Sequence, residues 1–116
     1  MGSGTTLVEA KLLGRNAVGI DINPQSVSIS ETNLQFQCDT SSKIYIRNAA
    51  ELHFIKDAYI DFICTHPPYA DIIKYGEGIE GDISMLGVKS FIDAMDKVAY
   101  EAYRVLKKGK MCAVMI

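Results

Sequence analysis

The chain has 116 residues, 48% of them hydrophobic and 22% charged, with a formal net charge of −2. That is enough for one domain around one modest core and too little for two. No apolar run approaches the roughly 18 residues of a membrane helix. The opening Met1-Gly2-Ser3-Gly4-Thr5-Thr6 has neither a basic region nor a cleavage-like site, so no signal peptide is expected.

The charge balance gives no phosphate-neutralising surface, and Lys107-Lys108-Gly109-Lys110, the one basic concentration, reads as a solvated turn. Cys38, Cys64 and Cys112 are odd in number and lack any C-x-x-C spacing, which points to reduced thiols in the cytoplasm. No metal site is expected, because neither His53 nor His66 has a second ligand at suitable spacing.

Taken in chain order, Thr5 to Leu13 predicts a short helix with Leu7, Val8, Leu12 and Leu13 inward. Ala17 to Ile22 is apolar except for Asp21 and predicts a strand buried on both faces. Asn23-Pro24 supplies a capping residue and a first-turn proline for a helix running to about Phe36. Its many Ser, Thr and Asn residues make that helix a weak former.

Lys43 to Arg47 and Ala58 to Thr65 predict further strands, the second stopped by His66-Pro67-Pro68-Tyr69 because neither proline can donate to a ladder. A long connection through Gly76, Gly78, Gly81 and Gly87 follows. Lys89 to Leu106 predicts an amphipathic helix whose stripe is Phe91, Ile92, Met95, Val98, Ala99, Ala102, Tyr103 and Leu106. Lys107 to Gly109 stops it, and Met111 to Ile116 is a last strand; Met85, Met95, Met111 and Met115 read as core filler.

This order implies an α/β domain with a mostly parallel, doubly wound sheet covered by helices. In such sheets ligands sit outside the carboxyl ends of the strands. Gly2-Ser3-Gly4-Thr5-Thr6 opens the first helix, where small residues admit a ligand to the backbone and free amides favour an anion. Taken alone it also fits a flexible terminus, and Leu7 stands where G-x-G-x-x-G needs its third glycine.

Asp21 ends the next strand at close to the roughly 20-residue spacing of nucleotide-binding units, where a carboxylate accepts ribose hydroxyls. A helix-capping aspartate is the competing reading. In His66-Pro67-Pro68-Tyr69 two prolines fix the outward carbonyls beside an aromatic ring, which suits a planar base with an amino group. A lone Pro-Pro-Tyr would instead be a structural turn. Asn48-Ala49, after the third element's strand, fits either a contact to an adenine edge or a simple turn.

Together these motifs resemble the amino-methylating DNA methyltransferases, which modify the exocyclic nitrogen of adenine or cytosine using S-adenosylmethionine. Met1 to Thr6 is similar to the second half of that family's cofactor motif, followed by Leu7-Val8-Glu9-Ala10 and Gly19-Ile20-Asp21-Ile22-Asn23-Pro24. Thr65-His66-Pro67-Pro68-Tyr69 is similar to its catalytic motif, and Tyr103 to Lys110 to the pattern before its fifth strand.

The resemblance implies a Rossmann-like methyltransferase sheet in a single partial domain, residues 1–116. It implies that Gly2, Ser3, Gly4 and Thr5 lie along the methionine part of S-adenosylmethionine, Asp21 holds the ribose, and Asn48 and Ala49 flank the adenine. His66 and Pro67 would accept from the target amino group of a DNA base, with Pro68 fixing the turn and Tyr69 stacking on the flipped base.

RNA or a protein glutamine is the alternative substrate, and an inactive remnant the alternative to an enzyme. His66 replaces the family's Asp, Asn or Ser; a neutral imidazole accepts one hydrogen bond and an imidazolium none, so activity is expected to fall in acid. The family's first strand would precede residue 1 in the middle of the sheet, and its last strands would follow residue 116. A fragment is therefore expected, with strand edges left for other segments or a second chain to complete.

Overall fold

The structure is a computed structural model that describes residues 1–68 and 79–116. Tyr69, Gly76 and Gly78 lie outside the described residues, as does the Met85 side chain. The chain divides into two units, Met1–Arg47 and Asn48–Ile116.

The first unit runs α1 (Thr5–Leu12), β1 (Ala17–Asp21), α2 (Pro24–Asn33) and β2 (Ser42–Ile46). The start of α2 forms as the sequence dictates. Asn23 Oδ1 accepts from the Gln25 amide at 2.9 Å, and Pro24 fills the first helical position, where a missing N–H costs nothing. Its end comes earlier than Phe36, because Lys11 Nζ reaches across 2.6 Å to the Leu34 carbonyl and lies over the Phe36 ring.

Strands β1 and β2 pair in parallel from Ala17 opposite Ser42 to Asp21 opposite Ile46, joined by α2 as a βαβ crossover. Leu7, Val27 and Leu34 form the buried core. Leu12 and Leu13, expected inside, are 61% and 74% exposed.

The second unit runs from a compact loop through β3 (Ile60–Thr65), α3 (Val88–Val105) and β4 (Leu106–Val114). Its core is Leu52, Ile55 and Val105. Strands β3 and β4 are also parallel, with Phe62 opposite Met111 and Thr65 opposite Val114. Helix α3 ends at Val105 and the chain passes directly into β4, so Leu106 is a strand residue and not the last of the stripe. Within that stripe Ile92 and Tyr103 are exposed, and Val105, outside it, is the most buried side chain of the helix.

The expected turn at Lys107–Gly109 is instead an irregularity inside β4. The register jumps between Ile60 and Phe62, so that Asp61 alone faces Lys107 to Lys110. Lys107 Nζ bonds both Asp61 oxygens at 3.0 and 3.1 Å. That hydrogen bond holds the Asp61 carboxyl below its ordinary value.

The parallel pairing and βαβ connections agree with a partial Rossmann-like sheet. Among the described residues β1 pairs only with β2, and β3 only with β4. Among the described residues each of the four strands therefore has one paired edge. Burial of β1 on both faces is not observed: Gly19 alone is buried, because a strand with one neighbour leaves much of its surface in water.

Candidate functional site

In the first unit the Gly2–Thr5 segment is a tight turn feeding α1. The Gly4 amide donates to the Met1 carbonyl at 3.2 Å, and the Gly4 carbonyl accepts from Leu7 and Val8 at 2.9 and 3.0 Å. No side chain caps α1, so its first amides stay available to an anionic group. Ser3 and Thr5 hydroxyls lie 3.2 Å apart at the mouth of the turn.

Gly4 is required twice over. It is left-handed at φ 80°, and a Cβ there would come within 2.6 Å of Ser30 Oγ. Ser30, wholly buried, donates to the Gly2 carbonyl at 3.2 Å. Asn33 Nδ2, one turn further along α2, donates to the Ser3 carbonyl at 2.9 Å. Helix α2 is thus the bracket for the turn. Sequence reading noted its Ser and Asn residues only as poor helix formers; their i, i+3 spacing on one face was the available signal.

Asp21 closes β1, at the carboxyl end where the parallel-sheet rule places ligands. One oxygen, Oδ1, accepts from the Asn23 amide at 2.9 Å and is spent on the local turn. The other, Oδ2, faces the glycine segment and accepts from the Met1 amino group at 2.7 Å. The local-turn reading of this aspartate is therefore met by one oxygen, while the second is held by the Met1 amino group beside the glycine segment. The turn and the carboxylate fit a small ligand carrying an anionic end and hydroxyl donors.

In the second unit Asn48 and Ala49 sit half-buried in a turn. Asn48 Oδ1 accepts from the Ala50 amide at 2.9 Å and its carbonyl accepts from Glu51 at 3.0 Å. The next residue, Leu52, is held on both sides. Its amide donates to Glu101 Oε2 at 2.7 Å and its carbonyl accepts from Arg104 Nη2 at 2.8 Å. Arg104 also reaches the Ile55 carbonyl at 3.0 Å, Asp57, and Glu101 at 2.8 and 2.9 Å.

The Arg104 hydrogen bond pulls the Glu101 carboxyl down to about 2 against the opposing effect of burial, and the Leu52 amide assists. Glu101 in turn holds the Arg104 guanidinium above its ordinary value. Sequence reading gave neither residue a role, since charges on an amphipathic helix read as its solvated side.

Strand β3 delivers His66 at its carboxyl end, exposed, with Pro67 and Pro68 half-buried behind it. The Met115 amide donates to the Thr65 carbonyl at 2.9 Å and fixes the strand immediately before the motif. Tyr69 lies outside the described residues. The open groove lined by Pro24, Val27, Glu31 and Arg47 contains none of the candidate residues. Among the described residues no cluster of His, Cys, Asp or Glu has the makings of a metal site, and no helix is long and apolar enough to cross a membrane.

The fold is that of an S-adenosylmethionine-dependent methyltransferase. A protein of that description from Methanosarcina mazei matches 97% of this chain with a TM-score of 0.64 at 22% identity, over 47% of its own length. Residues 1–32, the glycine turn through α2, match the family described as DNA methylase.

A tRNA (guanine(10)-N2)-dimethyltransferase of Methanothermobacter thermautotrophicus is 37% identical over 68 residues, covering 59% of this chain and 20% of the relative. The Pyrococcus abyssi protein of the same description is 34% identical over 73 residues, 60% of this chain and 21% of that one. The type II methyltransferase M.MjaII of Methanocaldococcus jannaschii is 54% identical over 35 residues, 30% of this chain and 7% of the relative. The chain thus spans about a fifth or less of the curated relatives it matches. The family match and the fold imply S-adenosylmethionine as cofactor.

Proposed function

We propose that residues 1–116 form one partial domain of an enzyme that transfers a methyl group from S-adenosylmethionine to an exocyclic amino nitrogen of a DNA base, adenine or cytosine. The observation that carries this reading is the glycine turn bracketed by Ser30 and Asn33 beside the Asp21 carboxylate, whose Oδ2 is held by the Met1 amino group at the head of that turn. The DNA methylase match, residues 1–32, covers the glycine turn, Asp21 and Ser30.

When bound, the cofactor supplies an electrophilic methyl group on a sulfonium. Gly2, Ser3, Gly4 and Thr5 hold its methionine end against uncapped helix amides, Asp21 Oδ2 accepts from the ribose, and Asn48 and Ala49 border the adenine. His66 and the Pro67 carbonyl accept hydrogen bonds from the target amino group, which draws the nitrogen out of conjugation and exposes its lone pair. Pro68 stiffens the turn, and Tyr69 stacks on the base. Catalysis then rests on positioning and charge stabilisation.

Methylation of a guanine amino group in tRNA is the second reading, favoured by the two tRNA relatives that match about 60% of this chain. Both substrates present a planar amino nitrogen. Transfer of radiolabelled methyl groups to DNA, tRNA and protein separates them, with label in DNA expected and label confined to tRNA selecting the second. Titration of the cofactor into the chain tests the site itself. Asp21→Asn is expected to weaken binding by about 10- to 100-fold, the loss of a charged hydrogen bond worth roughly 1.5–3 kcal/mol. Unchanged affinity in that variant would remove Asp21 from the site.

A further inference from the structure

Arg104 and Glu101 have no role assigned at the cofactor or the base, yet Arg104 donates to two carbonyls and two carboxylates, and Glu101 accepts from Arg104 and from the Leu52 amide. Their partners are concentrated on one short stretch. Arg104 takes the carbonyls of Leu52 and Ile55 and the carboxylate of Asp57, while Glu101 takes the Leu52 amide. Leu52 is thereby fixed at its N–H and its C=O by two side chains that also bond each other.

The Ile55 amide returns to the Leu52 carbonyl at 2.8 Å, and Leu52 and Ile55 are both buried. The loop is therefore pinned from inside by packing and from outside by the ion pair. Asn48 begins the turn that closes at Glu51, just before Leu52, and its own carbonyl and side chain are committed to that turn. From the opposite side Gly81, left-handed at φ 85°, comes so near that a Cβ there would lie 3.1 Å from Asn48 Nδ2. Nothing in this arrangement is a general surface ion pair, which would hold two flexible chain ends and little else.

We propose that Arg104 and Glu101 are positioning residues for cofactor binding: together they clasp Leu52–Asp57 and so hold the Asn48–Ala49 turn in the conformation that receives the adenine. The inference rests on the cofactor reading above. It requires a guanidinium in particular, because one ammonium cannot serve two carbonyls and two carboxylates in a fixed fork. The segment leading into β3 is held separately, by main-chain bonds from the Ala58 and Tyr59 amides to the Arg104 and Val105 carbonyls at 2.9 and 2.8 Å.

Arg104→Lys tests this in the full chain, with S-adenosylmethionine as the titrant. Val105→Ala serves as a control that loosens the adjacent core without touching the clasp side chains. Arg104→Lys is expected to weaken cofactor binding about tenfold, the scale of loss when a positioning contact goes. Val105→Ala, compared well below both melting temperatures, is expected to change it by less than about twofold. Amide exchange at Ala50 and Glu51 in the ligand-free chain is expected to speed up in Arg104→Lys alone.

Affinity unchanged in Arg104→Lys, or lost equally in Val105→Ala, overturns the inference and leaves the cofactor reading standing. Unaltered exchange at Ala50 and Glu51 overturns the clasp itself. Absence of binding by the unaltered chain overturns the cofactor reading and takes the inference with it.

Discussion

The two units solve the same problem with different chemistry. Each must hold a short turn in one shape. In Met1–Arg47 the turn is bracketed from α2 by neutral contacts at close quarters, a buried hydroxyl, an amide and a glycine with no room for a methyl group, beside one ion pair from the Met1 amino group to Asp21. In Asn48–Ile116 it is held by a guanidinium and a carboxylate that reach out from α3. Neutral close packing is sterically strict and insensitive to pH. The charged clasp tolerates more volume change but depends on protonation and on the fork geometry of arginine.

The contrast can be broken most forcefully at Gly4. Gly4→Ala is expected to destabilise the chain by about 3 kcal/mol or more, from left-handed strain together with overpacking against Ser30. Denaturant unfolding measures it, and a loss under about 1 kcal/mol would show that the bracket yields readily. Ser30→Ala should cost about 1 kcal/mol by stranding the Gly2 carbonyl without its donor. Its deficit should be the same at pH 7 and pH 3, since no charge is involved.

Glu101→Gln should have the most informative pH dependence. Its carboxyl falls from an ordinary value of 4.5 to about 2 in the folded chain. A depressed carboxyl stabilises the fold fully above the unfolded value and loses that contribution as pH falls through the folded one. The gap in melting temperature between the unaltered chain and Glu101→Gln should therefore be constant above about pH 5 and close between pH 4.5 and 2. A gap that stays flat would erase the difference between the units.

Local chemistry was legible in the sequence and distant chemistry was not. Asn23-Pro24 announced the start of α2 because cap and proline act on their immediate neighbours. The parallel strands announced themselves by short apolar runs, and Asp21 by its place at a strand end.

Helix α3 ends one residue before the expected Leu106, but the residues after it were misread for a long-range reason. Lys107–Gly109 looks like a turn, yet it lies inside β4, whose partner β3 is distant in the chain, and the Ala58 and Tyr59 amides take the Arg104 and Val105 carbonyls. Ser30, Asn33, Glu101 and Arg104 were passed over for the same reason, since most of what they bind is backbone elsewhere in the chain. His66 and Pro67 were placed at the end of β3 as expected, because prolines punctuate a strand wherever it sits.

The distance along the chain between the clasp and its quarry has a kinetic consequence. Arg104 is 52 positions from Leu52 and 49 from Ile55. Contacts of such high sequence separation close late, because the entropy of the intervening loop must be lost before they form. Asn48 can close its local turn early, but the clasp that holds that turn waits for α3, so the nascent chain would fix its glycine turn first and its second turn only after α3 has emerged. Affinity for an adenosyl ligand should accordingly appear in the last phase of refolding, coincident with protection of the Leu52 amide.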